Sequence, residues 1–223
     1  MGIKFEGAIF DLDGTLVHTI EDIADAANVM FTRNGIPAHG VDYYLKWIGS
    51  GAVRFIEQAL GIQVEREQLM RYVKEFKQIY SENLHQKSRV YEGIPAVLDA
   101  FTERGIKLAI LSNKPHPMTL QVAEHYLSGW PFHPVLGQRE EVPRKPNPAA
   151  AFEIAAVMGL DPGKILLIGD SENDILTAVS AGMIPVGVTW GYGRADISQV
   201  EGMALKVDHP SEILSLFDSA NLK

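Results

Sequence analysis

Four short apolar runs constrain this chain more than any other feature: residues 7–10, 107–111, 165–168 and 185–188. Each has the length of a strand. Each is almost continuously apolar rather than alternating, the pattern of strands covered on both faces in a parallel sheet. Weaker runs of the same kind stand at Val135-Leu136 and at 204–207. Helical periodicity fills the gaps at 95–104, 148–158 and 174–181, each followed by a glycine that suits a helix stop: Gly105, Gly159 and Gly182. Strands alternating with helices of this length predict an α/β fold with a doubly wound parallel sheet.

One stretch breaks the alternation. Between the first apolar run and Lys107 only helical patterns occur, at about 19–34, 41–48, 51–60 and 65–84. Thr19 and Asp22 are spaced as a capping box for the first of them. This is too much chain for one crossover. It predicts an α-helical cap domain inserted at 17–88, with the core formed by 1–16 and 89–223. A chain of 223 residues accommodates a core domain plus such an insert.

Composition narrows the partners. The formal net charge of −8, with no basic cluster to offset it, argues against nucleic acid. No apolar run reaches membrane-spanning length, and the first residues lack a signal-peptide pattern. Cysteine is absent, which excludes disulfides and thiolate metal sites. The expected location is cytoplasmic. An anionic substrate would then need local positive charge from a metal, a lysine and backbone N–H groups.

Polar clusters follow the apolar runs. Asp11 and Asp13 come directly after the first. Residues two apart on a strand face the same side, so both carboxylates can point at one spot while Leu12 turns to the core. Gly14 permits a sharp turn whose N–H groups face an anion. An acidic turn capping a helix would look the same. Ser112-Asn113-Lys114 follows the second run and offers a hydroxyl and successive amides, or simply a polar turn closed by Pro115. Lys145, held extended by Pro146, is a compact cation suited to phosphate, or a surface lysine. Gly169-Asp170-Ser171-Glu172-Asn173-Asp174 follows the third run. Its carboxylates suit magnesium, and equally suit a helix N-terminus; Asp174 could also hydrogen-bond a metal-bound water or Lys145.

This order and spacing resembles the haloacid dehalogenase (HAD) superfamily, from about residue 5 to 210. Asp11-Leu12-Asp13-Gly14-Thr15, Ser112, Lys145 and Gly169-Asp170 through Asp174 look like its four motifs, and the helical insert sits where that superfamily places a cap. The resemblance implies a Rossmann-like core and a Mg2+-dependent phosphomonoesterase that forms an aspartyl-phosphate on Asp11. Asp13 would serve as acid and base. Ser112 and Lys145, with the Leu12 to Thr15 turn (Leu12, Gly14, Thr15) and Asn113, would cradle the phosphoryl group. Asp11, Asp170, the Asp13 backbone carbonyl and Asp174 would form the metal site.

Three further features resemble the phosphoglycolate phosphatase branch: Gly49-Ser50-Gly51 opening a cap helix, Tyr91-Glu92-Gly93-Ile94 before the return to the core, and Val188-Thr189-Trp190-Gly191-Tyr192-Gly193. They imply a small phosphorylated metabolite as partner and a protein that is a monomer or homodimer. Ser50 and Gly51 amides, with Arg54 one turn on, are the expected contacts to its carboxylate. Departures are His18 in place of an acidic residue, Ser112 in place of threonine, and a charged Gln138-Arg139-Glu140-Glu141. A sugar phosphomutase or pyrophosphatase of the same superfamily, or a catalytically silent binding or regulatory module, are the rival readings. Asp13 argues against dehalogenase or phosphonatase chemistry.

Overall fold

The computed structural model describes residues 4–193 and 197–218. Chain order gives β1 (Gly7–Phe10), β2 (Val17–His18), α1 (Ile20–Arg33), α2 (Val41–Tyr44), α3 (Ala52–Leu60), α4 (Arg66–Glu82), β3 (Arg89–Val90) and α5 (Ile94–Glu103). It continues with β4 (Lys107–Pro115), α6 (His116–Leu127), β5 (Phe132–Gln138), α7 (Ala149–Met158), β6 (Ile165–Gly169), α8 (Glu172–Ala181), β7 (Ile184–Val188), β8 (Leu205–Val207) and α9 (Pro210–Asp218).

Six strands form one parallel sheet in the order β5-β4-β1-β6-β7-β8. The apolar runs are its buried strands, and the alternation of their side chains explains why they lack polar positions. Phe10, Ile110 and Ile168 face one hydrophobic cluster with Val97, Leu98 and Phe101 of α5. Ile9, Ala109 and Leu167 face the other, with Ile154 of α7 and Ala178 of α8. Both faces are therefore dry, as a parallel sheet requires. On the first face Phe101 packs against Phe5, Phe10 and Phe217 with ring centroids 5.2–6.0 Å apart.

The helices after β1 form their own layer. α4 packs against α1 and α3, and α2 against α1. An aromatic row runs through it from Phe31 to Tyr44, Phe55, Phe76 and Tyr80, with successive centroids 5.5–6.4 Å apart. The chain leaves the sheet region through β2 and returns through β3, and these pair antiparallel, Val17 with Val90 and His18 with Arg89. Exit and return thus lie side by side.

Local expectations needed correction at several points. Thr19 does not close a capping box: its hydroxyl donates to Asp13, 2.7 Å, and the Asp22 carboxylate accepts from the Lys87 and Ser88 amides, each 2.9 Å. Partners outside the helix displaced the local one. The helix expected at 41–48 is one turn, α2. The strand expected to end at Leu111 continues to Pro115, because β5 pairs with it as far as Gln138. Among the described residues no helix is long and apolar enough to cross a membrane.

Candidate active site

β1 lies between β4 and β6, with Phe10 level with Ile110 on one side and Ile168 on the other. The chain winds outward in both directions from this point, so the carboxyl ends of these strands open a crevice. Their polar clusters meet there because the register holds them at one height.

Asp11 Oδ1 accepts from the Leu12 amide at 2.7 Å and pairs with Lys145 Nζ at 3.0 Å. Lys145 comes from the segment before α7. Its ammonium also donates to Asp174 Oδ1, 2.5 Å, and to the Leu111 carbonyl, 2.8 Å. Asn113 fixes the backbone there: Oδ1 accepts from Lys145 N, 2.9 Å, and Nδ2 donates to Lys145 O, 3.1 Å. Asp174 is the third residue of α8 and fully buried; its Oδ2 accepts from the Ser171 amide, 3.1 Å, and hydroxyl, 2.6 Å. Asp170 Oδ2 accepts from the Tyr192 amide, 2.5 Å, and Oδ1 from the Thr15 hydroxyl, 3.3 Å. Gly14, at φ +87°, lets the turn pass so near Asp170 that a Cβ would fall against its carboxylate.

Asp13 faces elsewhere. Its carboxylate pairs with Lys114 Nζ at 3.0 and 3.2 Å and accepts from the Thr19 hydroxyl. Lys114 Nζ also donates to the Tyr80 hydroxyl of α4, 2.5 Å. Ser112 is buried, and its Oγ accepts from the Lys114 amide at 3.3 Å.

Carboxylate oxygens of Asp11, Asp170 and Asp174 lie within 4.8 Å of one another. Burial, followed by the partly offsetting attraction of Lys145 and the repulsion of Asp174, Asp170 and Asp13, pushes Asp11 up to about 8. Burial and the charge of Asp174 push Asp170 up to about 7. Four carboxylates, of Asp11, Asp13, Asp170 and Asp174, face two buried ammonium groups, of Lys114 and Lys145. One divalent cation balances that excess, and an all-oxygen donor set suits a hard ion such as Mg2+. Asp174 accepts three hydrogen bonds, from Lys145 and twice from Ser171, against two on Asp170 and two on a single oxygen of Asp11, so Asp11 and Asp170 have the greater capacity for it.

A cavity of about 330 Å³ opens over these residues. Asp11, Asp13, Ser112, Asn113, Lys114 and Lys145 line its floor; Trp47, Ile48, Phe55, Phe76 and Tyr80 form an apolar roof from the helical layer. Ser50 and Gly51 line it too, and Gly51 stands at φ +81° before α3. Arg54 is exposed and is not among the lining residues. Sequence reasoning passed over Lys114, Tyr80, Tyr192 and Arg144. Lys114 lay in a triplet valued for its hydroxyl and amides. Arg144 donates to the Ser50 carbonyl at 2.6 Å, and Asn113 Nδ2 to the Gly49 carbonyl at 3.1 Å, tying roof to floor. His18, the departure noted above, packs edge-on against Tyr91 and Tyr192, both at 5.6 Å, outside the cavity lining.

Known proteins resemble this chain in sequence and in fold. A family model described as haloacid dehalogenase-like hydrolase matches residues 8–188. A phosphoglycolate phosphatase of Mannheimia succiniciproducens is 36% identical, over 97% of each chain, and one of Pasteurella multocida is 35% identical, over 82% of this chain and 85% of its own. The crystal structure of a predicted phosphoglycolate phosphatase from Haemophilus somnus superposes with a TM-score of 0.85 at 30% identity, covering 96% of this chain and 98% of the other. With the family model spanning most of the chain and the four motifs gathered at one sheet edge, this protein belongs to the haloacid dehalogenase-like hydrolases.

Proposed function

We propose that this chain is a magnesium-dependent phosphatase of small phosphomonoesters, with phosphoglycolate as its preferred substrate, acting through an aspartyl-phosphate on Asp11. The observation that carries the reading is Asp11 itself: a buried carboxylate at a strand end, 3.0 Å from a lysine and clustered with Asp170 and Asp174. The names of the relatives supply the substrate; the chemistry comes from the residues. The helices at 17–88 are the cap of this enzyme, and its setting is the cytoplasm.

Asp11 forms a bond to phosphorus as the ester P–O bond breaks. Asp13 gives its proton to the departing oxygen. Water then attacks phosphorus, Asp13 takes the water's proton, and the aspartyl O–P bond breaks to release phosphate. Lys145 keeps Asp11 oriented and places positive charge beside the transferring group. Ser112, the Leu12 and Asn113 amides and the Gly14-Thr15 turn complete the cradle. Thr15 also steadies Asp170. A divalent cation on Asp11 and Asp170 would neutralise charge on the phosphoryl oxygens. The Ser50 and Gly51 backbone faces the leaving group, whereas Arg54 is given no contact.

Phosphate release from phosphoglycolate, sugar phosphates, nucleotides and pyrophosphate, with and without Mg2+, tests the substrate. Metal-dependent release favouring phosphoglycolate is expected; an isomerised sugar phosphate without free phosphate would show a mutase instead. Asp11→Asn should lower turnover by more than about a thousandfold, as removing a nucleophile does. Its melting temperature should be unchanged or higher, since asparagine is a neutral match in shape for a carboxyl whose ionisation burial opposes. Near-normal hydrolysis by that variant overturns the mechanism.

A further inference from the structure

We infer that Lys114 selects the leaving group: it binds a second anion, a carboxylate placed next to the carbon that bears the ester oxygen. The inference rests on the phosphatase reading above and adds to it the residue that recognises the alcohol half of the ester.

Lys114 and Lys145 are both buried lysines on the cavity floor, with side chains 3% exposed. Their hydrogen-bonding differs. An ammonium has three N–H donors. Lys145 spends them on three separate groups: Asp11, Asp174 and the Leu111 carbonyl. Lys114 makes three contacts to only two groups, because two of them grip the same Asp13 carboxylate, at 3.0 and 3.2 Å, and the third is the Tyr80 hydroxyl. Giving up the longer of the two Asp13 contacts turns one N–H toward a ligand in the cavity while the ion pair is kept.

Position then identifies the anion. In the proposed reaction the departing oxygen lies within hydrogen-bond reach of Asp13. Lys114 Nζ is 3.0 Å from the same carboxylate. A group on the carbon next to that oxygen therefore falls within reach of the ammonium. The phosphoryl group itself belongs to Asp11 and Lys145. Tyr80 stands over Lys114, with its ring centroid 4.4 Å from Nζ, and holds it toward the cavity. The other lysine lining the cavity, Lys46, is exposed and lies 5.7 Å from the Tyr43 ring centroid, on the roof side. Exposure to water weakens any charge it contributes.

The experiment compares kcat/KM for phosphoglycolate and for 2-hydroxyethyl phosphate, in which CH2OH replaces the carboxylate. Wild-type enzyme should prefer phosphoglycolate. Lys114→Gln should cut that preference at least tenfold, mainly by losing phosphoglycolate activity. Lys114→Arg should recover part of it, and Lys46→Gln should leave it within twofold. Should Lys114→Gln fail to fold, wild-type product inhibition decides: glycolate should inhibit at least tenfold better than ethylene glycol. The inference is overturned if wild type has no preference, if Lys114→Gln loses both activities equally, if Lys46→Gln erases the preference, or if both products inhibit alike. Absence of phosphate release from every ester by wild type would instead bring down the phosphatase reading.

Discussion

Burial and crowding raise the carboxyls of Asp11 and Asp170 to about 8 and about 7, so protons compete for both near neutral pH. A carboxyl raised above its unfolded value stabilises the fold while it stays protonated, and that contribution is lost as pH climbs through the folded value. The metal-free protein should therefore lose stability between pH 5 and 8.5. A drop in melting temperature on the order of 5 °C is expected for a chain of this size. Mg2+ should restore it, more at pH 8.5 than at pH 6, because the ion competes with protons for the same oxygens. Thermal melts at both pH values, with chelator and with Mg2+, check this; a flat profile, or a larger metal effect at pH 6, would contradict it. Sequence reasoning placed both residues at strand ends. It could not show that Asp174 is so tightly held by Lys145 and Ser171 that little of it is left for an ion.

At the scale of elements, the loop after β7 links the acidic cluster to the start of α1. The Tyr192 amide donates to Asp170, and the Tyr192 hydroxyl oxygen accepts from the Thr19 and Ile20 amides at 2.6 and 3.1 Å. These are N–H groups of a helix start, which have no partner within the helix. Tyr192→Phe leaves both without that acceptor and should destabilise the protein by about 1–3 kcal/mol. The Asp170 contact uses the backbone and survives, so kcat should change less than about threefold. A large loss of kcat at unchanged melting temperature would refute this division of labour. The elements that sequence reasoning missed are instructive. α6 begins at His116-Pro117, which reads as a turn, although proline is tolerated in a first helical turn. α9 likewise starts on Pro210. β2 and β3 are two residues each, too short for any periodicity, and exist because the chain passes the same place twice.

For the molecule as a whole, the reaction chamber is the space between a sheet edge and a helical layer, and polar contacts join the two. Arg144 reaches the Ser50 carbonyl, Asn113 the Gly49 carbonyl and Lys114 the Tyr80 hydroxyl. The first of these is exposed. Arg144→Ala should therefore barely move the melting temperature, as for exposed charged contacts generally. Losing one hydrogen bond that holds the roof loop should raise KM for phosphoglycolate by up to roughly tenfold. Steady-state kinetics beside a melt separates the effects, and an unchanged KM would remove Arg144 from the clasp.

What the sequence determined by itself was the local and periodic part. Strands buried on both faces must be apolar throughout, so the sheet, the polar clusters at its edge and the helical insert were readable from residue order. Asp11 and the acidic cluster could be proposed as nucleophile and metal site because each follows a strand directly, whereas Lys145 lies in the segment between β5 and α7 and was proposed from the resemblance. Tertiary structure decided which side chains face each other. Tyr80 and Lys114 are 34 positions apart and meet only because the α4 helix crosses the end of β4. Arg54 sits on the cap helix expected to meet the substrate, yet faces outward. Thr19 and Asp22 had each other as a local option and took partners outside the helix, Asp22 as far away as Lys87. Periodicity records which face of an element is buried, whereas a side chain's partner depends on what the rest of the chain brings against that face.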